Sequence, residues 1–249
     1  MPTELTGEIR PGICRPDWSV VTKPAARAAL MGRHDARSGL SQKWSRRLLP
    51  MEDLVWRTTI EVFTGGGNPP SVSEIADAVG LPGEQVRAIL IELRAHDLLA
   101  LDPSATAITY AYPFSAGPTE HRVELLGRHL HAVCAVDALG VAAMCRADTT
   151  IASSCRTCGD RIEVETDRNG RAVRVSRPAE PVIWYDFAYT QTAAESCCPA
   201  IAFFCSDAHL DQWVRVQSPQ RVGCQLTLDE GFEVGRALFE PVLATARAL

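Results

Sequence analysis

Nine cysteines in 249 residues, eight of them between Cys134 and Cys224, constrain this chain more than any other feature. An odd number cannot all pair within one chain. The N-terminus, MPTELTGEIRPG, lacks the basic start and apolar run of a secretory signal, so a cytoplasmic location is expected, where disulfides seldom persist. The fold must then rest on an apolar core, with thiols left for metal binding or catalysis. Apolar residues make up 46% of the chain, ample for one large domain or two small ones. The longest apolar stretch, about 132–145, carries Asp137 in its middle. It falls short of the roughly eighteen residues that a membrane span needs, so no membrane partner is expected.

Charge is distributed unevenly. Residues 1–50 hold nine Lys/Arg against four Asp/Glu, net +5, leaving the remainder at -10. This Pro-, Gly- and Arg-rich segment reads as a basic extension that packs on the acidic body, with one short helix around Pro24–Met31. Met51–Phe63 follows as a helix ended by Gly65-Gly66-Gly67. Ser71 and Glu74 predict a capping box that opens a helix over Ser71–Val79. After the turn at Gly80–Gly83, Val86, Ile89, Leu90 and Leu93 mark a second helix, and Leu98–Leu101 and Ala107–Tyr112 read as short strands. Three helices and a two-stranded wing describe a winged-helix-like module over 51–115. Its second helix sets Arg87 and Arg94 against Glu84 and Glu92. Docking to phosphates needs a net positive face, so a structural role is expected and nucleic acid is not.

Over 116–249 the texture changes. Glu124–Leu139 reads as an apolar helix. Thr149–Val175 reads as a strand pair joined at Asp167-Arg168-Asn169-Gly170, where Asn-Gly is a strong hairpin signal. Further strands are predicted at Val182–Tyr189 and Ala200–Cys205, and helices at Asp207–Val214 and Asp229–Arg247. The fold class is α+β: the winged-helix-like module, then a mostly antiparallel sheet domain with flanking helices.

The chemistry concentrates in three segments. Cys134 and Asp137 stand three residues apart, which on a helix sets thiol and carboxyl on one face. Cys197 and Cys198 are adjacent thiols ahead of an apolar strand. Cys155 and Cys158 make a Cys-x-x-Cys after Ser153-Ser154. Cys145, Cys205 and Cys224 read as small buried hydrophobes, and Cys14 as incidental. The apolar neighbours Val136, Ala138 and Leu139 argue against a surface role for Asp137.

Cys134-Ala-x-Asp137-x-Leu, then Ser-Ser-Cys155 followed by Gly159, then Ser-Cys197-Cys198 ahead of Phe203-Phe204, resemble the organomercurial lyase (alkylmercury lyase) family in motif and separation over about residues 50–245. The resemblance implies a winged-helix-like N-terminal portion and a lyase that cleaves carbon–mercury bonds. It implies that Cys134 and Cys197 take up the organomercurial and that Asp137 carries the proton. It further implies a structural Cys155 and a Cys198 that is not essential. Bottom-up chemistry agrees: soft thiolates select soft metals, and a positioned acid must protonate the departing carbon. No cofactor is required. Mercury is substrate and product, and cellular thiols or a mercuric reductase would receive it.

Cys158 departs from the family pattern, in which a hydroxyl residue is usual. It creates a metal-ligand spacing with Cys155, and Cys197 and Cys198 could complete a four-thiolate zinc or copper site. Two alternatives follow: a thiol-based winged-helix regulator that senses metal, or a family relative with another substrate. The near-neutral helix weighs against the first, and the Cys134–Asp137 pair weighs for catalysis. The C-terminal helix offers a surface for a homodimer.

Overall fold

The computed structural model describes residues 7–33, 39–44 and 46–244. The basic extension is built into the body. Strands β1 (Gly7–Arg10) and β2 (Ile13–Arg15) form a hairpin, followed by α1 (Pro24–Arg33) and the short α2 (Leu40–Trp44). Arg10 anchors it: its guanidinium pairs with Asp53 at 2.7 Å and donates to the carbonyls of Pro241, Val242 and Ala244.

Helices α3 (Pro50–Gly66), α4 (Val72–Val79) and α5 (Gly83–Ala95) follow, with β3 (Leu99–Leu101) and β4 (Ile108–Ala111) after them. The capping box forms, Ser71 N–H donating to Glu74 at 2.7 Å and Glu74 N–H to Ser71 Oγ at 3.2 Å. Val86, Leu90 and Leu93 are buried on the face of α5 that packs on α3.

Where one helix is expected over Glu124–Leu139, the chain instead makes a hairpin of β6 (His121–Leu125) and β7 (Arg128–Ala132), after the two-residue β5 (Phe114–Ser115). The cause lies in periodicity. His121, Val123 and Leu125 are buried while Arg122 and Glu124 are exposed, a period of two. Leu126 and Gly127 then adopt positive φ of 50° and 75°, which no helix tolerates in its interior. The helix begins only at α6 (Ala135–Cys145).

Thr149–Val175 holds three strands rather than two: β8 (Thr149–Ser154), β9 (Arg161–Asp167) and β10 (Ala172–Arg177). The segment carrying Cys155 and Cys158 is itself the first reversal, and the second falls at Asn169-Gly170. Gly170 has φ 73°, and a Cβ there would collide with the Ala142 backbone. These strands complete an eight-stranded antiparallel sheet in the order β10-β9-β8-β6-β7-β5-β4-β3. It runs without a break from the strands after the helical module into the C-terminal half.

A second sheet holds β11 (Val182–Asp186) at its centre, flanked by β12 (Ala202–Phe204) and β13 (Gly223–Thr227), the last unforeseen in the sequence. α7 (Asp207–Arg215) follows β12. α8 (Leu228–Phe239) is shorter than expected because Pro241 lacks an N–H and clashes with a continuing helix. The end of that expected helix, residues 245–247, lies outside the described part. Its apolar residues are buried within the chain, where α8 packs against α6 and α1, so the face that suggested a dimer is already covered.

α6 is the central helix, buried from Ala135 to Met144 and touching β6, β7 and β8 of the large sheet, β12 of the small one, and α8. Gly140 and Gly235 let α6 and α8 approach closely. A Cβ on Gly140 would lie 2.8 Å from the Gly235 carbonyl oxygen and would run into Phe239. Among the described residues no helix is long and apolar enough to cross a membrane.

Candidate active site

Cys134 sits at the start of α6 as its N-cap, in extended backbone, rather than on the helix face beside Asp137. Its Sγ accepts the Asp137 N–H at 3.4 Å. A sulfur there meets the positive end of the helix, which favours a thiolate. Burial works the other way and on balance raises the Cys134 thiol above its ordinary range.

The second thiol segment is brought in by backbone bonds. Ala135 N–H donates to Ile201 O at 3.1 Å, tying the start of α6 to the short helical turn Cys198–Ala200. Ligand atoms of Cys134, Asp137 and Cys198 lie within 4.8 Å of one another, all buried. Cys197, also buried, lies beyond this trio. It accepts a hydrogen bond from Arg33 Nη2 at 2.8 Å and donates to Ala193 O at 3.5 Å. Hydrogen bonding links Cys198 to both Cys134 and Cys197 and, with burial, holds Cys197 and Cys198 well above the ordinary thiol range.

Asp137 is 5% exposed and its Oδ2 has no hydrogen-bond partner. Burial pushes its carboxyl up to about 7, against the opposing pull of the Cys134 hydrogen bond and the charges of Arg33 and Arg15. Such a group exchanges protons readily near neutrality.

Three supports come from residues that the sequence reading did not single out. Arg33 of the basic extension is buried beside the Cys197 thiol, and Arg15, also buried, lies within electrostatic reach of Asp137. Arg15 lies over the Trp44 ring at 3.9 Å, and burial lowers it to about 10. Arg33 lies over Tyr185 at 5.1 Å. Asp97 takes the Ala193 N–H at 2.9 Å and the Tyr189 hydroxyl at 3.1 Å, and Tyr112 Oη takes the Ala194 N–H at 2.7 Å. From the other side, Arg221 joins Asp186 at 2.7 Å and Ser196 O at 3.1 Å. The loop before Cys197 is thus clamped from two directions. The one signal available in the sequence was the surplus of arginine in a segment lying on an acidic body.

A cleft of about 360 Å³, lined by Tyr110, Thr119, His121, Val133, Arg156 and Cys198 among others, reaches the cluster at Cys198. A roomier cleft of about 960 Å³ beside β10 and the start of α8 touches neither Cys134, Asp137 nor Cys197. It therefore does not serve these residues.

Cys155 and Cys158 do not join Cys197 and Cys198. They stand with Cys205 and His209 in a separate cluster, because the β8–β9 reversal packs on the junction of β12 and α7. Cys205 is accordingly no mere buried hydrophobe. It is partly exposed, with Sγ 2.9 Å from His209 Nδ1.

Residues 114–240 match the sequence profile of the family described as alkylmercury lyase. An alkylmercury lyase of Staphylococcus epidermidis is 30% identical over 175 residues, 69% of this chain and 76% of that protein. One of Bacillus cereus is 25% identical over 191 residues, 75% of this chain and 82% of that protein. The crystal structure of the mercury-bound form of MerB2 superposes with a TM-score of 0.69 at 23% identity, over 82% of this chain and 97% of that one, which is a likeness of fold. With the motif-bearing segments inside the matched region, the chain belongs to the alkylmercury lyase family of carbon–mercury lyases.

Proposed function

We propose that the chain cleaves a small organomercurial by protonolysis, R–Hg–X to RH and Hg(II), through Cys134, Asp137 and Cys197. The observation that carries this reading is the buried carboxyl of Asp137, pushed up to about 7 within reach of the Cys134 thiol. Cys134 displaces X from R–Hg–X. Metal coordination deprotonates a thiol outright, and the proton passes to the Asp137 carboxylate. Cys197, whose anion Arg33 stabilises, adds a second sulfur to mercury as its own proton leaves with X. That sulfur polarises the carbon–mercury bond. Asp137 then returns its proton to carbon, RH departs, and Hg(II) stays on two thiolates. Two external thiols take it away and restore both cysteines, so the sum is RHgX + 2 R′SH → RH + HX + Hg(SR′)₂.

A second assignment of the second sulfur has its own support. Cys198, not Cys197, lies within 4.8 Å of both Cys134 and Asp137, and it borders the cleft.

The test is benzene release from phenylmercury with excess thiol. Wild type should turn over, and Cys134→Ala and Asp137→Asn should lose at least about 100-fold, the scale of general acid–base catalysis. Loss in Cys197→Ala with retention in Cys198→Ala supports the first assignment, and the reverse supports the second. If wild type releases no benzene, the proposed activity is wrong.

The remainder of the organisation is proposed on the same footing. Residues 51–115 serve as a winged-helix-like structural module, with 1–50 an extension and 116–249 the catalytic domain, in a cytoplasmic enzyme that delivers Hg(II) to cellular thiols or a reductase. Support for the structural role comes from α5, where Glu84, Arg87, Glu92 and Arg94 are all exposed and their charges cancel.

A further inference from the structure

Away from the candidate active site, Cys155, Cys158, Cys205 and His209 bring three sulfurs and a ring nitrogen within 4.8 Å of one another. We infer that this cluster is a binding site for one tetrahedral zinc-class ion that staples the β8–β9 reversal to the β12–α7 junction.

The spacing fits the ion. With zinc–sulfur bonds near 2.3 Å and zinc–nitrogen bonds near 2.0 Å, tetrahedral angles place neighbouring ligand atoms roughly 3.5–3.8 Å apart. Cys158 Sγ lies 3.7 Å from Cys205 Sγ, and Cys155 Sγ lies 3.7 Å from His209 Nδ1. The Cys205–His209 pair is closer, at 2.9 Å, and a small His209 side-chain adjustment opens it to the tetrahedral edge.

The backbone is arranged to hold ligands. Gly159 N–H donates to Cys155 O at 2.9 Å, Cys155 N–H to Asp160 O at 2.8 Å, and Gly159 takes φ 78°, folding Cys-x-x-Cys into a tight knuckle. The second pair comes from another element. Cys205 precedes α7 and His209 sits in its first turn, where its N–H donates to the Ser206 N-cap hydroxyl at 3.3 Å. Two contacts lock the halves together: Thr157 Oγ1 donates to His209 O at 2.7 Å, and Arg156 N–H to Phe203 O at 3.0 Å.

Four protein ligands fill a tetrahedron and leave no open position, which marks a structural rather than a catalytic ion. Its place in the fold gives it a purpose. β12 directly follows the turn that carries Cys198, so an ion at Cys205 fixes the far end of the strand on which the active-site thiols depend. Cys158 and Cys205 lie far apart in sequence, and Cys205 has no Cys-x-x-Cys partner of its own, so the spacing rule alone could not pair them.

The test needs no organomercurial and is therefore independent of the lyase reading. The full chain is purified under reducing, metal-free conditions, and zinc binding is measured by competition with a chromophoric chelator. Cobalt(II) is used as the optical probe. The expected result is one equivalent per chain, with the intense visible bands and thiolate charge-transfer absorption of a tetrahedral cobalt–thiolate site. Cys158→Ser and Cys205→Ser should each weaken retention by at least about tenfold, the scale on which even an outer partner of a metal ligand acts. Cys134→Ala and Cys198→Ala should leave it unchanged. The inference is overturned if the reduced wild-type chain binds no metal, or if cobalt gives the weak spectrum of an octahedral site. It is equally overturned if binding survives loss of Cys158 and Cys205 but not loss of Cys134 and Cys198.

Discussion

The Arg33 guanidinium donates to the Cys197 thiol at 2.8 Å, both groups sealed from solvent. Burial pulls the Arg33 proton affinity down, yet Cys197 and the groups around it outweigh that and hold the arginine charged. An arginine from the N-terminal extension thus supplies the principal positive charge beside the thiol pair, and the extension becomes part of the site.

Removing that charge should cost the Cys197 thiolate its partner. A hydrogen bond to a charged group contributes about 1.5–3 kcal/mol, so Arg33→Ala should lower kcat/KM by about 10–100-fold and move its pH profile to higher pH. Arg33→Lys keeps the charge without the planar fork and should fall between the two. Ultraviolet thiolate absorbance against pH checks the cause. A variant that titrates as wild type does would refute the pairing.

Asp97 holds the loop that delivers Cys197, and it does so from a left-handed backbone with φ 53°. Asp97→Ala strips the Ala193 N–H and the Tyr189 hydroxyl of their acceptor and places alanine in a conformation it dislikes. A loss of about 2–3 kcal/mol in urea unfolding is expected, together with reduced turnover. Asp97→Asn keeps an acceptor oxygen and tolerates positive φ, so it should cost markedly less. Equal costs would mean that the carboxylate charge matters more than the geometry.

Gly140 sets the distance between α6 and α8. Gly140→Ala must displace Phe239 or the Gly235 carbonyl, an overpacking that costs about 1–3 kcal/mol. Because Asp137 lies one turn away on α6, turnover should fall along with the urea midpoint. An alanine accepted without change in either measurement would show that the helices are free to separate.

What could be read from the residues depended on how local its cause was. The capping box at Ser71 and Glu74, the stop at Gly67 and the Asn169-Gly170 turn each rest on a few neighbouring residues, and the structure has them where expected. The hairpin of β6 and β7 reads as helix because its apolar residues run straight into the apolar α6, and only the exposed Arg122 and Glu124 betray the period of two. The spacing of Cys134 and Asp137 did signal proximity, but through an N-cap rather than a shared helix face. Arg33 reaches Cys197, and Arg15 the surroundings of Asp137, across more than 100 residues of chain, while Asp97 acts through a loop bond. Neither leaves a local pattern. The grouping of Cys155 and Cys158 with Cys205 and His209 is likewise set by packing between the two sheets.

Asp137 makes the sharpest prediction because its titration changes stability in a known direction. An unfolded aspartate has a pKa of about 3.9, whereas burial holds this one at about 7. Between those values the native chain keeps a proton that the unfolded chain has released. The group's contribution is therefore fully present below about pH 4 and lost as pH rises through 7. At one pKa unit per about 1.4 kcal/mol, the full difference is at most about 4 kcal/mol. Asp137→Asn cannot ionise and escapes this loss. The comparison to make is the unfolding free energy of both proteins in urea at pH 5 and pH 8, since every other titrating group contributes equally to both. Wild type should lose ground to Asp137→Asn by a few kcal/mol over that interval. A constant difference would mean that the native carboxyl is already ionised at pH 5. A carboxylate that acidic would be a weak acceptor for the Cys134 proton near neutrality, and the relay proposed for it would fail with the stability effect.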